Sequence, residues 1–211
     1  MSNKIKAALL SLILAMAIAG PAAAQGKDES GIYLGGSLGF SQYKDTCKNL
    51  FIPCEDHDTA WRFFGGYQFT RNWAAELGFG DFGEAQGNGT IPAGGSGAFK
   101  THSYGFDLTG LGTVHITQRL SAFGRLGVYM GRTTRDIEFS DFPASNVQDA
   151  KTNSGFTYGA GLGYTLGRFG VRAEWQRYDN IGTNQNSGLV GQGSGTDEID
   201  VFSLAFLFRF F

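Results

Sequence analysis

Strand-period alternation, an export leader and a regular exchange of short and long connections together predict an all-β fold. The form they predict is an eight-stranded antiparallel up-and-down transmembrane β-barrel. Composition sets the frame: 33 of 211 residues are glycine, 42% are hydrophobic, 14% aromatic and only 17% charged. So much Gly and Phe with only 4 Pro fits neither collagen nor a disordered tail. A net charge of −2 removes the basic footprint of nucleic-acid binding, so no nucleic acid is expected as a partner. Two cysteines make neither a four-ligand zinc site nor a disulfide-dense scaffold.

The leader comes first in the chain. Lys4 and Lys6 precede an almost unbroken apolar run over residues 7–20, Pro21 breaks it, and Ala22-Ala23-Ala24 supplies small residues for cleavage before Gln25. The run is shorter than the roughly 20 residues of a membrane-spanning helix. Residues 1–24 are therefore expected to be a cleaved signal peptide, and residues 25–211 one exported domain. Beyond residue 24 no apolar stretch reaches helical-span length, which leaves a soluble domain or a closed barrel, because lipid admits only helices and barrels. A mean hydropathy of −0.15 decides nothing, since lumen-facing residues dilute lipid-facing ones.

The strands decide it. In Gly31–Tyr43 one face carries Ile32, Leu34, Gly36, Leu38 and Phe40, the other Tyr33, Gly35, Ser37 and Gly39. Residues 59–69 set Trp61, Phe63, Gly65, Tyr67 and Phe69 against Arg62, Phe64, Gly66 and Gln68. Residues 73–82 set Trp73, Ala75, Leu77 and Phe79 against Ala74, Glu76, Gly78 and Gly80. Further on, Phe106, Leu108 and Val114 alternate with Asp107, Thr109 and Thr113, and Val171, Ala173 and Trp175 with Arg172, Glu174 and Gln176. The last segment places Phe202, Leu204, Phe206, Phe208 and Phe210 opposite Ser203, Ala205 and Arg209. This is period two, repeated and long. A water-soluble sandwich would turn Lys, Glu and Thr outward. Here the second face is mostly Gly, Ser and Ala, which suits a narrow lumen, while the aromatic face suits lipid.

Short connections fall at Thr70-Arg71-Asn72, Thr117-Gln118-Arg119 and Leu166-Gly167-Arg168, and long polar ones are expected near residues 44–58, 83–100, 137–151 and 181–196. Three short turns and four long loops join eight strands, with both termini on the short-turn side, the asymmetry of an outer-membrane barrel. An even strand number closes the sheet and leaves no edge. The expected location is the cell outer membrane.

Several stretches carry a more specific likeness: Gly39-Phe40-Ser41-Gln42-Tyr43, Phe64-Gly65-Gly66-Tyr67-Gln68, Arg125-Leu126-Gly127, Arg172-Ala173-Glu174-Trp175-Gln176, Asn180-Ile181-Gly182, Ser203-Leu204 and Phe208-Arg209-Phe210. In this order the chain resembles the eight-stranded transmembrane domain of the OmpA-like outer-membrane protein family. The resemblance covers the barrel and not the peptidoglycan-binding domain that the family often carries, so wall tethering is not carried over. It implies that Glu76 and Arg172 match an interior ion pair that plugs the lumen. Leu111 and Gly163 stand where the family has an interior Lys and a second Glu. The Phe-rich end, Phe206, Phe208, Phe210 and Phe211, looks like the signal read by the barrel-assembly machinery, with Phe211 as an extra residue.

The residues themselves suggest a larger lumen cluster. Glu76, Arg125 and Arg172 lie at similar distances above the short turns, Asp107 descends from outside, and Glu174 sits one inward position above Arg172. Buried charges must be paired, so Glu76, Asp107, Glu174, Arg125 and Arg172 are expected to neutralise one another nearly completely. The functional alternatives are a static plug and a gated small pore.

Other signals are weaker. Cys47 and Cys54, seven positions apart, are expected to pair in the first long loop, since an exported protein meets an oxidising compartment. Asp45, Glu55, Asp56 and Asp58 make that loop acidic, which reads as a solvated loop before a cation or lipopolysaccharide-bridging site. His57, His102 and His115 lie on three segments without metal-ligand spacing, and no metal or cofactor is expected. Some small barrels modify lipid A with a Ser–His pair, but the adjacent His102 and Ser103 must point to opposite faces, so no enzyme is expected. Gly78-Phe79-Gly80-Asp81-Phe82-Gly83 fits G-x-G-x-x-G without the βαβ unit that the motif needs. Asn88-Gly89-Thr90 reads as exposed loop, and residues 182–196 as a mobile one. The function expected is a monomeric structural barrel embedded in lipid and lipopolysaccharide, with a narrow, plugged pore at most. A surface adhesin or host-interaction protein acting through its loops is the alternative, and a lipid-A-modifying barrel enzyme a minor one.

Overall fold

The computed structural model describes residues 30–44, 54–90, 96–139, 147–181 and 197–210. The leader, Cys47 and Phe211 lie outside these residues, as do the side chain of Cys54 and the segment 182–196. Among the described residues nine strands follow in chain order: β1 (Gly31–Tyr43), β2 (Cys54–Glu55), β3 (His57–Thr70), β4 (Trp73–Thr90), β5 (Ser96–His115), β6 (Leu120–Phe139), β7 (Val147–Leu166), β8 (Phe169–Ile181) and β9 (Asp197–Arg209). All but the two-residue β2 form one closed antiparallel ring, each strand paired with its neighbours and β9 returning to β1. The pair Tyr33↔Arg209 brings both ends of the barrel chain to the rim that carries the short turns.

Period two sets what each face meets. On β9, Phe206 is 64% exposed while its neighbour Ala205 is fully buried. The same parity turns Leu34, Leu38, Leu77, Leu108, Val128, Leu162 and Leu204 outward as an aliphatic band. Aromatic side chains flank it. Near the short turns, Tyr67 packs on Phe69 and Phe208 on both Phe169 and Phe210, with ring centroids 5.0–5.2 Å apart. Toward the opposite rim, Trp61, Phe79 and Phe106 form a second chain of rings, 5.8 Å and 4.7 Å apart, and Tyr158 meets Trp175. An apolar belt between two aromatic girdles is the outer surface that a bilayer selects. Phe206, Phe208 and Phe210 all stand on this lipid face.

Two expected loops are corrected. Most of 83–100 and 137–151 is strand: β4 and β5 pair as far as Thr90↔Ser96, and β6 and β7 as far as Ile137↔Val147. Asn88-Gly89-Thr90 is therefore strand rather than loop. The first long loop is shortened too, since Cys54–Glu55 pairs with Gly87 and Gln86 and β3 begins at His57. The physical reason is that outside the membrane both faces of a strand are wet, so pairing persists after the hydropathy alternation has gone. A bulge hides the continuation further. The β4–β5 register shifts between Asp81 and Glu84, and Gly83 adopts φ +70°, a conformation that favours glycine. Through that shift Phe82 and Ala85, three apart, are both buried.

The long strands are adjacent in the ring. β4 has 18 residues and β5, β6 and β7 have 20 each, against 13 or 14 in β1, β3, β8 and β9. Among the described residues, one side of the outer wall therefore runs roughly 20 Å further along its strands, at about 3.3 Å per residue. On the far edge of that wall, the pairing of β7 with β8 stops at Thr157↔Tyr178.

Candidate functional site

The interior is layered. Nearest the short turns is an apolar cluster of Tyr33, Phe64, Ala74, Leu111, Phe123, Ala205 and Leu207. At the outer end is a second, made of Tyr43, Phe82, Ala85, Tyr129, Tyr178, Ile181 and Ile199. Between them lie buried charges, all on inward positions of their strands. The layer is built around Glu76, which is 1% exposed. Its Oε1 accepts from Arg172 Nη1 at 2.6 Å and from the Tyr33 hydroxyl at 2.9 Å. Its Oε2 accepts from Arg125 Nη2 at 3.1 Å and from Arg62 Nη1 at 3.5 Å. Glu174 bridges the same two arginines, 3.2 Å from Arg125 Nη2 and 3.4 Å from Arg172 Nη1.

Asp107 is held by a fork. Arg62 Nε and Nη2 donate to its two oxygens at 2.8 and 2.6 Å, the bidentate geometry that a guanidinium favours. The Tyr178 hydroxyl approaches the same carboxylate at 3.5 Å, tying the charged layer to the outer apolar one. Arg125 Nη1 donates to Gln176 Oε1 at 2.6 Å, and Gln176 Nε2 donates to Thr157 Oγ1 at 2.9 Å. Below, the Arg172 guanidinium is enclosed by the rings of Tyr33, Phe64 and Phe123, whose centroids lie 5.3–5.6 Å away. That enclosure adds cation–π attraction.

The structure thus brings Glu76, Asp107, Glu174, Arg125 and Arg172 into one network and adds Arg62, which the sequence reading left out. With Arg62 the layer holds three carboxylates and three guanidiniums and is neutral. Its signal was present in the sequence: Arg62 stands on the inward face of β3, and Gly78 and Gly80 follow Glu76 on the inward face of β4. A Cβ at Gly78 would lie 2.6 Å from Arg62 Cζ, so glycine is what leaves room for the side chain to reach Asp107. Leu111 stands in the inner apolar cluster, and Gly163 leaves space beside Ser121 and Arg172. His102 faces outward and pairs with Asp81 at 3.0 Å, whereas Ser103 is buried inside against Thr133. That is no catalytic pair.

The model of the OmpA-like transmembrane domain matches residues 27–211. The chain belongs to this family. Outer membrane protein A of Klebsiella pneumoniae is 29% identical over 168 residues, which cover 75% of this chain and 46% of that protein. Outer membrane protein A of Salmonella typhi is 30% identical over 198 residues, covering 87% and 53%. The chain therefore spans about half the length of these curated relatives. Among solved structures, Neisserial surface protein A superposes with a TM-score of 0.54 at 11% identity, over 86% of this chain and 98% of that one. At that identity the likeness speaks for the fold. Family and barrel together place the protein in the outer membrane.

Proposed function

We propose that this family member is a structural barrel of the outer membrane whose lumen does not conduct. The observation that carries the reading is the neutral six-residue charge layer between two apolar clusters, since an ion would have to displace both kinds of packing. An eight-stranded barrel is just wide enough for side chains to fill it. Opening it by breaking one ion pair leaves a buried charge uncompensated, at several kcal/mol. The static plug is therefore favoured over the gate. In this reading the lipid face meets lipid and lipopolysaccharide, the protein acts as a monomer without metal or cofactor, and Phe206, Phe208 and Phe210 serve recognition by the assembly machinery. It performs no catalysis.

Planar-bilayer recordings of the refolded barrel test this. The wild type is expected to be silent over hours, and Arg172→Gln and Glu76→Gln are expected not to produce discrete openings. Wild-type openings whose conductance changes with either substitution would replace the plug with a gate.

A second reading rests on the raised wall of β4–β7, in which the described pairing of β7 with β8 stops at Thr157 while β4 to β7 continue outward. A surface adhesin would use such a wall as its contact face. Trimming the β4–β5 and β6–β7 extensions to the height of the other strands is expected to leave folding intact. Loss of cell-surface attachment in that variant would favour the adhesin, and unchanged attachment would remove it.

A further inference from the structure

The inner mouth of the barrel holds a cavity of about 140 Å³, walled by the inward ends of the strands and by the short turns. At roughly 30 Å³ per water it has room for four or five waters, or one small polyatomic ion. Its lining is lopsided in charge. Among the described residues Arg71, Arg119, Arg209 and His115 contribute, Arg172 is also part of the lining, and none of the lining residues described is an aspartate or glutamate. The carboxylates of Glu76 and Glu174 already hold Arg172 from the opposite side. Neutral hydroxyls stand among the cations at Thr113, Ser121 and Thr165. Arg209 is oriented across the mouth, with Nη1 donating to Thr165 Oγ1 at 3.2 Å and its backbone N–H to the Arg168 carbonyl at 2.8 Å. Arg71 and Arg119 come from two different turns. The apolar floor of Tyr33, Phe123 and Leu207 lowers the local dielectric and focuses the positive field outward.

We infer that this vestibule is an oxyanion site that takes a phosphate group. Arginines brought to one mouth from separate turns and strands offer several N–H forks, which match the tetrahedrally arranged oxygens of phosphate better than a single carboxylate plane. Arg172 is shared with the plug, and Glu76 and Glu174 hold it from the other side, so occupancy does not require the charge layer to open. Two sources present this chemistry at the inner rim: free phosphate in the aqueous compartment and the headgroup of a phospholipid leaning over the turns.

The test uses the refolded full chain in a phosphorus-free, non-ionic detergent. Arginine side-chain N–H resonances are followed while inorganic phosphate, and separately a short-chain phosphatidylglycerol, is titrated at constant ionic strength. A saturable shift is expected, weakened about tenfold or more by Arg119→Gln combined with Arg209→Gln. Arg132→Gln, an exposed arginine on β6 in the outer part of the barrel, is expected to leave it unchanged, and heat-modifiable gel migration checks that each variant is folded. Saturation by phosphate assigns the free anion, and saturation by the lipid alone assigns the headgroup. Two flat titrations, or binding that survives the double substitution or falls equally with Arg132→Gln, would overturn the site. The bilayer recordings are independent of this result, so a failed vestibule leaves the plug standing and a failed plug leaves the vestibule.

Discussion

Glu76→Gln is expected to destabilise the folded barrel by about 3–5 kcal/mol, the cost of breaking a buried ion network by removing one charge. The substitution keeps size and shape, so packing is not what changes. The wild-type layer balances three guanidiniums with three carboxylates. Glutamine leaves Arg62, Arg125 and Arg172 facing only Asp107 and Glu174, with the surplus charge enclosed by Tyr33, Phe64 and Phe123. Adding Arg172→Gln restores the balance at two of each. The double variant is therefore expected to be more stable than Glu76→Gln alone, a coupling of the kind that contacting residues show. Urea titration of tryptophan fluorescence in lipid vesicles, at neutral pH, measures all three. A loss below about 1 kcal/mol for Glu76→Gln, the range of exposed pairs, would mean that water reaches the layer and that the lumen is not sealed.

How much of this was legible follows from what a bilayer imposes. Within the membrane every strand must show lipid one face and the lumen the other, so inward parity alone singles out Glu76, Asp107, Arg125, Arg172 and Glu174. It singles out Arg62 equally well. What hid Arg62 was distance: counted in residues it lies well away from the inner turn, and strand tilt together with a long side chain brings it down past Gly78 to Asp107. A pair of inward glycines, 78 and 80, was the trace it left. Above the membrane the constraint ends. Residues 84–90 and 96–102 pair in register without any alternation of hydropathy, so the strands that raise the outer wall read as loops. The basic vestibule was invisible for another reason: Arg71, Arg119 and Arg209 are scattered through the chain, and only closure of the ring gathers them.

Leu77→Arg tests the outer face as Glu76→Gln tests the inner one, and it is expected to cost about 2–4 kcal/mol in a bilayer. Leu77 is 60% exposed, and it pairs across β5 with Leu108, which pairs with Val128 on β6. Along β4 it stands between Trp73 and Phe79, each at the level of one girdle. In water an exposed leucine could become arginine within about 0.5 kcal/mol, because no buried contact is lost. In lipid the guanidinium has to snorkel or draw water into the hydrocarbon. The same measurement on Tyr104→Arg, whose ring lies 6.4 Å from Phe79 in the outer girdle, is expected to show only about 0–1 kcal/mol, since the penalty falls toward the interface. Unfolding of the three proteins in one vesicle preparation supplies the comparison. Equal costs at Leu77 and Tyr104 would mean that depth does not matter, and a face insensitive to depth is not a lipid face. A steep difference would locate the hydrocarbon centre near Leu77, leaving the apolar inner cluster, the charge layer and the outer aromatic cluster as successive barriers inside the same wall.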